Sequence, residues 1–80
     1  MPRFHFDIVN GRSVHRDETG EVCLNHEAAE LEAILTAAEM AKHELGKTRS
    51  FERSVEVRDE SDVPVIRVCV SVALDVHRLK

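Results

Sequence analysis

The stretch VIRVCVSVALDV, residues 65–76, alternates apolar and other side chains without a break. Ile66, Val68, Val70, Val72, Leu74 and Val76 point one way, and Arg67, Cys69, Ser71, Ala73 and Asp75 point the other. A period of two sustained over this length, in β-branched residues, describes a strand with one buried face. Pro64 can open such a strand but cannot sit inside it, because it lacks the N–H that a ladder requires. The length and apolarity of the segment place it at the centre of a sheet. Upstream, Asp59-Glu60-Ser61-Asp62 is polar turn material. Before that turn, Phe51, Arg53, Val55 and Val57 alternate against Glu52, Ser54, Glu56 and Arg58, a second strand of the same hairpin.

Asn25 is a good N-cap for a helix running to about Leu45, with Gly46 as the left-handed residue that ends it. Glu27, Glu30 and Glu32 near its start, and Lys42, His43 and Lys47 near its end, suit the helix dipole. At about 100° per residue, Ala28, Leu31, Ile34, Leu35, Ala38, Ala41 and Leu45 form one stripe, expected to face the core. Leu35 and Val70 should then both be buried between helix and sheet. Ala29, Ala33, Ala37 and Met40 form a second stripe on the other side. Small residues there would admit a partner helix, or would simply serve as good helix formers on a solvated face.

At the N-terminus Phe4, Phe6 and Ile8 alternate with Arg3, His5 and Asp7, and Asn10-Gly11 signals a hairpin to Arg12–Asp17. A two-residue Asn10-Gly11 loop would pair Asp7 with Val14. A three-residue loop with Gly11 left-handed pairs Phe6 with Val14, burying the valine, and is favoured because a buried face fixes register. It would also set His5 directly opposite His15. The element order is ββαββ, an α+β domain spanning residues 1–80 with one helix packed on a four-stranded sheet. With the most apolar strands innermost, the strand order is 2-1-4-3, as in β-grasp domains. The wholly antiparallel 2-1-3-4 is the alternative.

Eighty residues hold one core. A net charge of −4 opposes attraction to nucleic acid or anionic lipid, and the exposed sheet face lacks aromatics because all three phenylalanines belong to the expected core. No stretch reaches the apolar length of a membrane span, and MPRFHFDIVN is too polar for a signal peptide. A cytoplasmic protein is expected, with Cys23 and Cys69 as free thiols far from any CxxC spacing.

Facing histidines are the sharpest chemical candidate. His5 and His15, with Cys69 on the same side and Asp7 and Asp17 near, would offer zinc or nickel a binding site, although structural zinc wants four ligands. Catalytic equipment is otherwise missing. Cys69 and Ser71 lie mid-strand without a nucleophile elbow, and Cys23 sits two residues before the helix cap, where it can pack as a small hydrophobe. The acidic loops lack EF-hand spacing, and no glycine belongs to a phosphate loop.

The reading is therefore a non-enzymatic interaction or accessory domain, which presents a sheet edge, the outer sheet face or the alanine stripe to itself or to another protein. The alternative is a metal-binding or metal-sensing domain. For self-association the expected edge is Phe51–Arg58. Two copies centred near Val55 would set Glu52 against Arg58 and Ser54 against Glu56, so Ser54, Val55, Glu56 and Arg58 form the expected contact.

MPRFHFDI, RDETG, AAELEAILTAAEMA and VEVRDE…VIRV together resemble a family of small bacterial proteins, a domain of unknown function common in rhizobia-like bacteria, that open MPR[FY]xF. The resemblance covers nearly the whole chain and rests on a hairpin, a turn, a helix and a second hairpin. It implies a ββαββ domain that often stands alone. No catalytic residue carries over.

Overall fold

In the computed structural model, which describes residues 1–80, the strand β1 (Arg3–Asn10) is paired along both edges. One edge carries β2 (Ser13–His15) and, further down, β3 (Glu21–Val22). The other edge carries β4 (Ser50–Arg58), which pairs in turn with β5 (Pro64–Ala73). Every pairing is antiparallel, and α1 (His26–Glu44) crosses one face. The α+β class with one helix on the sheet is as expected. The strand count and order are not, because β3 makes a fifth strand and β4 lies beside β1. The β-grasp order is thereby excluded, and the four longer-range strands follow the wholly antiparallel alternative.

The long strand expected at the centre is the edge, and it stops at Ala73 rather than Val76. Apolarity ranked the strands wrongly because one face of β5 is covered by the helix and the other is open. The neighbour of β1 is chosen instead by a cross-strand ion pair, Asp7 with Arg58.

The first hairpin also departs from the expected register. Asn10 pairs with Ser13 and Val9 with Val14, leaving a two-residue Gly11-Arg12 loop. Gly11 has φ 60°, as the first loop position of a type II′ turn requires. Val14 is exposed rather than packed on the phenylalanines. Burial could not fix the register because β2 has only three residues. His15 is consequently opposite Ile8, while His5 is paired with Arg58 on the β4 side.

The helix begins where its cap dictates, with the Asn25 side chain accepting from the Ala28 N–H at 2.9 Å. Its end needs no left-handed residue. Lys47 and Thr48 both donate to the Glu44 carbonyl, and Gly46 has no positive φ.

The buried face of α1 is Ala29, Ala33, Ala37 and Ala41. The expected core stripe is therefore corrected: Leu31, Ile34 and Leu35 are 57%, 44% and 52% exposed. The physical reason is volume. Phe4, Val55 and Val57 rise from the sheet and fill the interlayer space, and alanines let the helix backbone settle onto them. A leucine in the same row would hold the layers apart. Half-buried Phe6, Ile8, Met40, Ile66, Val68 and Val70 complete the packing.

Coverage is thin, with eleven of eighty residues buried. The radius of gyration is 14.7 Å, against about 12 Å for a compact chain of this length. Ala33→Leu should overpack the interlayer seam and cost about 1–3 kcal/mol. Leu35→Ala should cost under about 1 kcal/mol, as at a surface position. Chemical denaturation of both variants checks this order, and the reverse order contradicts the assignment of the buried face.

Candidate functional site

Two features stand out, one polar and one apolar. The polar one lies on the sheet face away from the helix. Arg58, at the end of β4, is buried and donates from Nε to Asp7 Oδ2 at 2.6 Å and from Nη2 to Asp7 Oδ1 at 3.0 Å. The same Nη2 donates to the Asp17 carbonyl at 2.9 Å, and Nη1 reaches Asp62 in the β4–β5 turn. Asp17 turns its side chain into the gap between β2 and β3. Its Oδ2 accepts the Phe6 N–H at 3.0 Å, and its Oδ1 accepts from Thr19 and Gly20. A carboxylate thus stands in for the missing strand along β1. Gly20, at φ 73°, is required there, since a Cβ would lie 2.8 Å from the Phe4 carbonyl oxygen and 2.9 Å from the His5 ring.

These contacts set the charges. Hydrogen bonds from Arg58 are the main cause holding the Asp7 carboxyl below the usual carboxylate range, against the opposing effect of burial. For Asp17 burial opposes ionisation, yet the N–H groups of Phe6, Gly20 and Thr19 together outweigh it and lower its pKa. Arg58 is raised, chiefly by its bonds to Asp7. No buried side-chain nitrogen or oxygen is left unpaired. Both carboxylate oxygens of Asp7 and both of Asp17 are taken by hydrogen bonds within the fold.

The expected metal ligands do not converge. His5 Nδ1 lies 3.0 Å from the Asp17 carbonyl oxygen, His15 sits on β2, and Cys69 lies on β5, where the Ser54 hydroxyl donates to its sulfur at 3.3 Å. Two strands separate β2 from β5, and no group of three His, Cys, Asp or Glu side chains is placed to share an ion. The facing histidines depended on the hairpin register, and the observed register removes them. Cys23 is buried, with a thiol pKa pushed up by burial and by the charges of Glu21 and Glu32.

The expected dimer contact is corrected as well. Ser54, Val55, Glu56 and Arg58 lie on β4, whose two edges are taken by β1 and β5. Val55 is fully buried and Arg58 is committed to Asp7, so the Phe51–Arg58 strand has no free edge to offer.

The apolar feature is the outward side of α1, where Leu31, Ile34 and Leu35 are exposed at helical spacing, with exposed Ala38 one turn further on. Sequence reasoning picked out this stripe but assigned it to the core. The signal that it lies outside is the second stripe, since a helix apolar on two sides covers a core with only one of them.

The family described as domain of unknown function DUF6894 matches residues 3–71. The chain belongs to it. No curated protein and no solved structure matches the chain. The match runs from the first residue of β1 into β5, so in this DUF6894 chain it spans the polar cluster, the helix and the hairpin that follows. No helix of the domain is long and apolar enough to cross a membrane.

Arg58→Met should strand a buried carboxylate and cost about 3–5 kcal/mol. The double variant Asp7→Leu/Arg58→Met should lose less than Arg58→Met alone, since no charge is left unpaired; a greater loss in urea denaturation contradicts the account.

Acid should act through the same groups. Asp7 and Asp17 have lowered folded-state pKa values, so their contribution is complete above the ordinary carboxylate range and is lost as pH falls through those values. The Tm should be nearly flat from about pH 5 to 7 and drop below about pH 4, more steeply for the native chain than for the double variant. Equal slopes in a thermal melt series contradict it.

Proposed function

We propose that this DUF6894 domain is a non-enzymatic protein-interaction module, acting in the cytoplasm through the outward face of α1. The observation that carries the reading is the exposure of Leu31, Ile34 and Leu35 on a helix whose opposite, alanine face already covers the sheet. A surface helix ordinarily turns such residues inward and charges outward. Apolar side chains at i, i+3 and i+4 are the spacing with which one helix engages another or lies in a groove.

The use of the ionisable groups supports binding over catalysis. Both Asp7 oxygens accept hydrogen bonds, the Cys23 thiol is buried with a raised pKa, and Cys69 sits mid-strand with the Ser54 hydroxyl donating to its sulfur. A nucleophile needs a base or a lowered pKa, and burial moves the Cys23 thiol the other way.

Site-specific photo-crosslinking in the native cell tests the reading. A photoreactive side chain at Leu35 should give discrete protein adducts, and the same group at Arg12, on the far hairpin turn, should give none. Absence of adducts at position 35, or equal labelling at both positions, contradicts the reading.

A further inference from the structure

We propose that the partner of the helix flank is a second copy of this chain, joined edge to edge through β5 with the two helices packing beside each other on one face of a continuous sheet. The proposal rests on the interaction reading above and names its occupant.

The first ground is the edge itself. β5 runs for ten residues with Arg67 as its single charge, and it is regular beyond a shift in register near its start. Outer strands are ordinarily blunted by charges, bulges or brevity. β2, on the opposite side, is three residues long with Arg16 and Asp17 just after it. On β5 both Arg67 and the register shift fall in the first half, so residues 68–73 are left unblunted.

The second ground is where its backbone groups point. The Leu74 N–H donates to the Arg49 carbonyl on the β4 side. Along an antiparallel strand the N–H and C=O of alternate residues face opposite neighbours, so those of Arg67, Cys69, Ser71 and Ala73 face the free edge. An antiparallel pairing of two β5 strands about Val70 gives every one of these groups a partner, matching Arg67 with Ala73 and Cys69 with Ser71. On the helix side it places Val70 against Val70 and Val68 against Val72.

The third ground is the position of the helix. α1 lies chiefly over β4 and β5, reaching β1 at its first turn, where the His26 ring meets Phe4. Strands are about 4.8 Å apart, so a two-fold axis at the β5 edge sets the helix axes about 10 Å apart, at the upper end of normal helix packing. The flank of α1 that faces beyond β5 can be identified. The sheet continues beneath one flank, toward β1, and ends beneath the other at β5; Glu32 and Thr36 are half-buried, whereas Leu31, Ile34 and Ala38 are exposed. The flank carrying Glu32, Thr36 and His43 therefore faces β1, and the opposite flank, with Leu31, Ile34, Ala38 and Leu45, overhangs the free edge. The two-fold makes the helices antiparallel and brings Leu31 and Ile34 of one toward Leu45 of the other across the small Ala38. It also brings the acidic Glu27 and Glu30 near the start of each helix toward Lys42 near the end of its mate, the self-complementary charge pattern of an isologous contact.

Sedimentation velocity from low micromolar to near-millimolar protein tests the association, and amide hydrogen exchange locates it. The native chain should be a dimer at the upper end of this range, with the Arg67, Cys69, Ser71 and Ala73 amides protected in a manner that fades on dilution. Ser71→Pro removes an N–H that no intrachain bond uses, and Ile34→Lys charges the flank. Each should weaken dimerisation about tenfold or more while the Tm of the diluted protein changes little. A native chain that stays monomeric, or a dimer in which those four amides exchange freely, overturns the proposal without needing a variant. Crosslinks from position 35 to a different protein, together with a monomeric native chain, overturn the second copy as partner and leave the interaction reading standing.

Discussion

The bidentate contact between Asp7 and Arg58 ties together segments that no turn connects. It joins β1 to β4 across the middle of the sheet, and Arg58 extends the link to the Asp17 carbonyl and to Asp62 in the far hairpin. Burying two charges costs several kcal/mol each unless the geometry is good and the remaining lone pairs and protons are satisfied. Here they are, since Asp7 also accepts the Asp17 N–H. Such a pair contributes less to net stability than to selection among topologies, because any other neighbour for β1 would leave a buried carboxylate or guanidinium alone. Asp17 works to the same end by occupying the Phe6 N–H at the point where β1 has no strand beside it.

The other side of the sheet is governed by size. Four alanines in one helical row allow α1 to sit closely on Phe4, Val55 and Val57, and the consequence is that the leucines and isoleucine of the helix have nowhere to go but outward. The close seam that stabilises the monomer and the apolar surface available for a partner therefore have one origin. Because α1 rides over β4 and β5, that surface adjoins an edge strand with almost no charge. Exposed Leu31, Ile34 and Ala38 thus lie beside a strand whose single charge is Arg67, while the opposite margin is short, charged and crossed by the Arg16–Gly20 segment.

Much of this was legible residue by residue. Alternation identified β1, β4 and β5, Asn25 marked the start of the helix, and Pro64 marked the start of the last strand. These features depend on neighbours within a few positions, where backbone geometry fixes the period. The functional surface was half legible. Leu31, Ile34 and Leu35 stood out as a stripe, but hydrophobicity alone assigned them inward because leucine outranks alanine on any transfer scale.

The sequence by itself determined the elements, their amphipathic faces and the α+β class, since each follows from local periodicity and capping. Tertiary structure decided which strand lies beside β1, which helix face is buried and whether His5 meets His15. The first was settled by a pair of charges fifty-one positions apart, the second by the volume left between sheet and helix, and the third by a turn whose register only three paired residues hold. None of these is a property of a local window; each is a choice between arrangements whose local energies are nearly equal and whose long-range contacts are not.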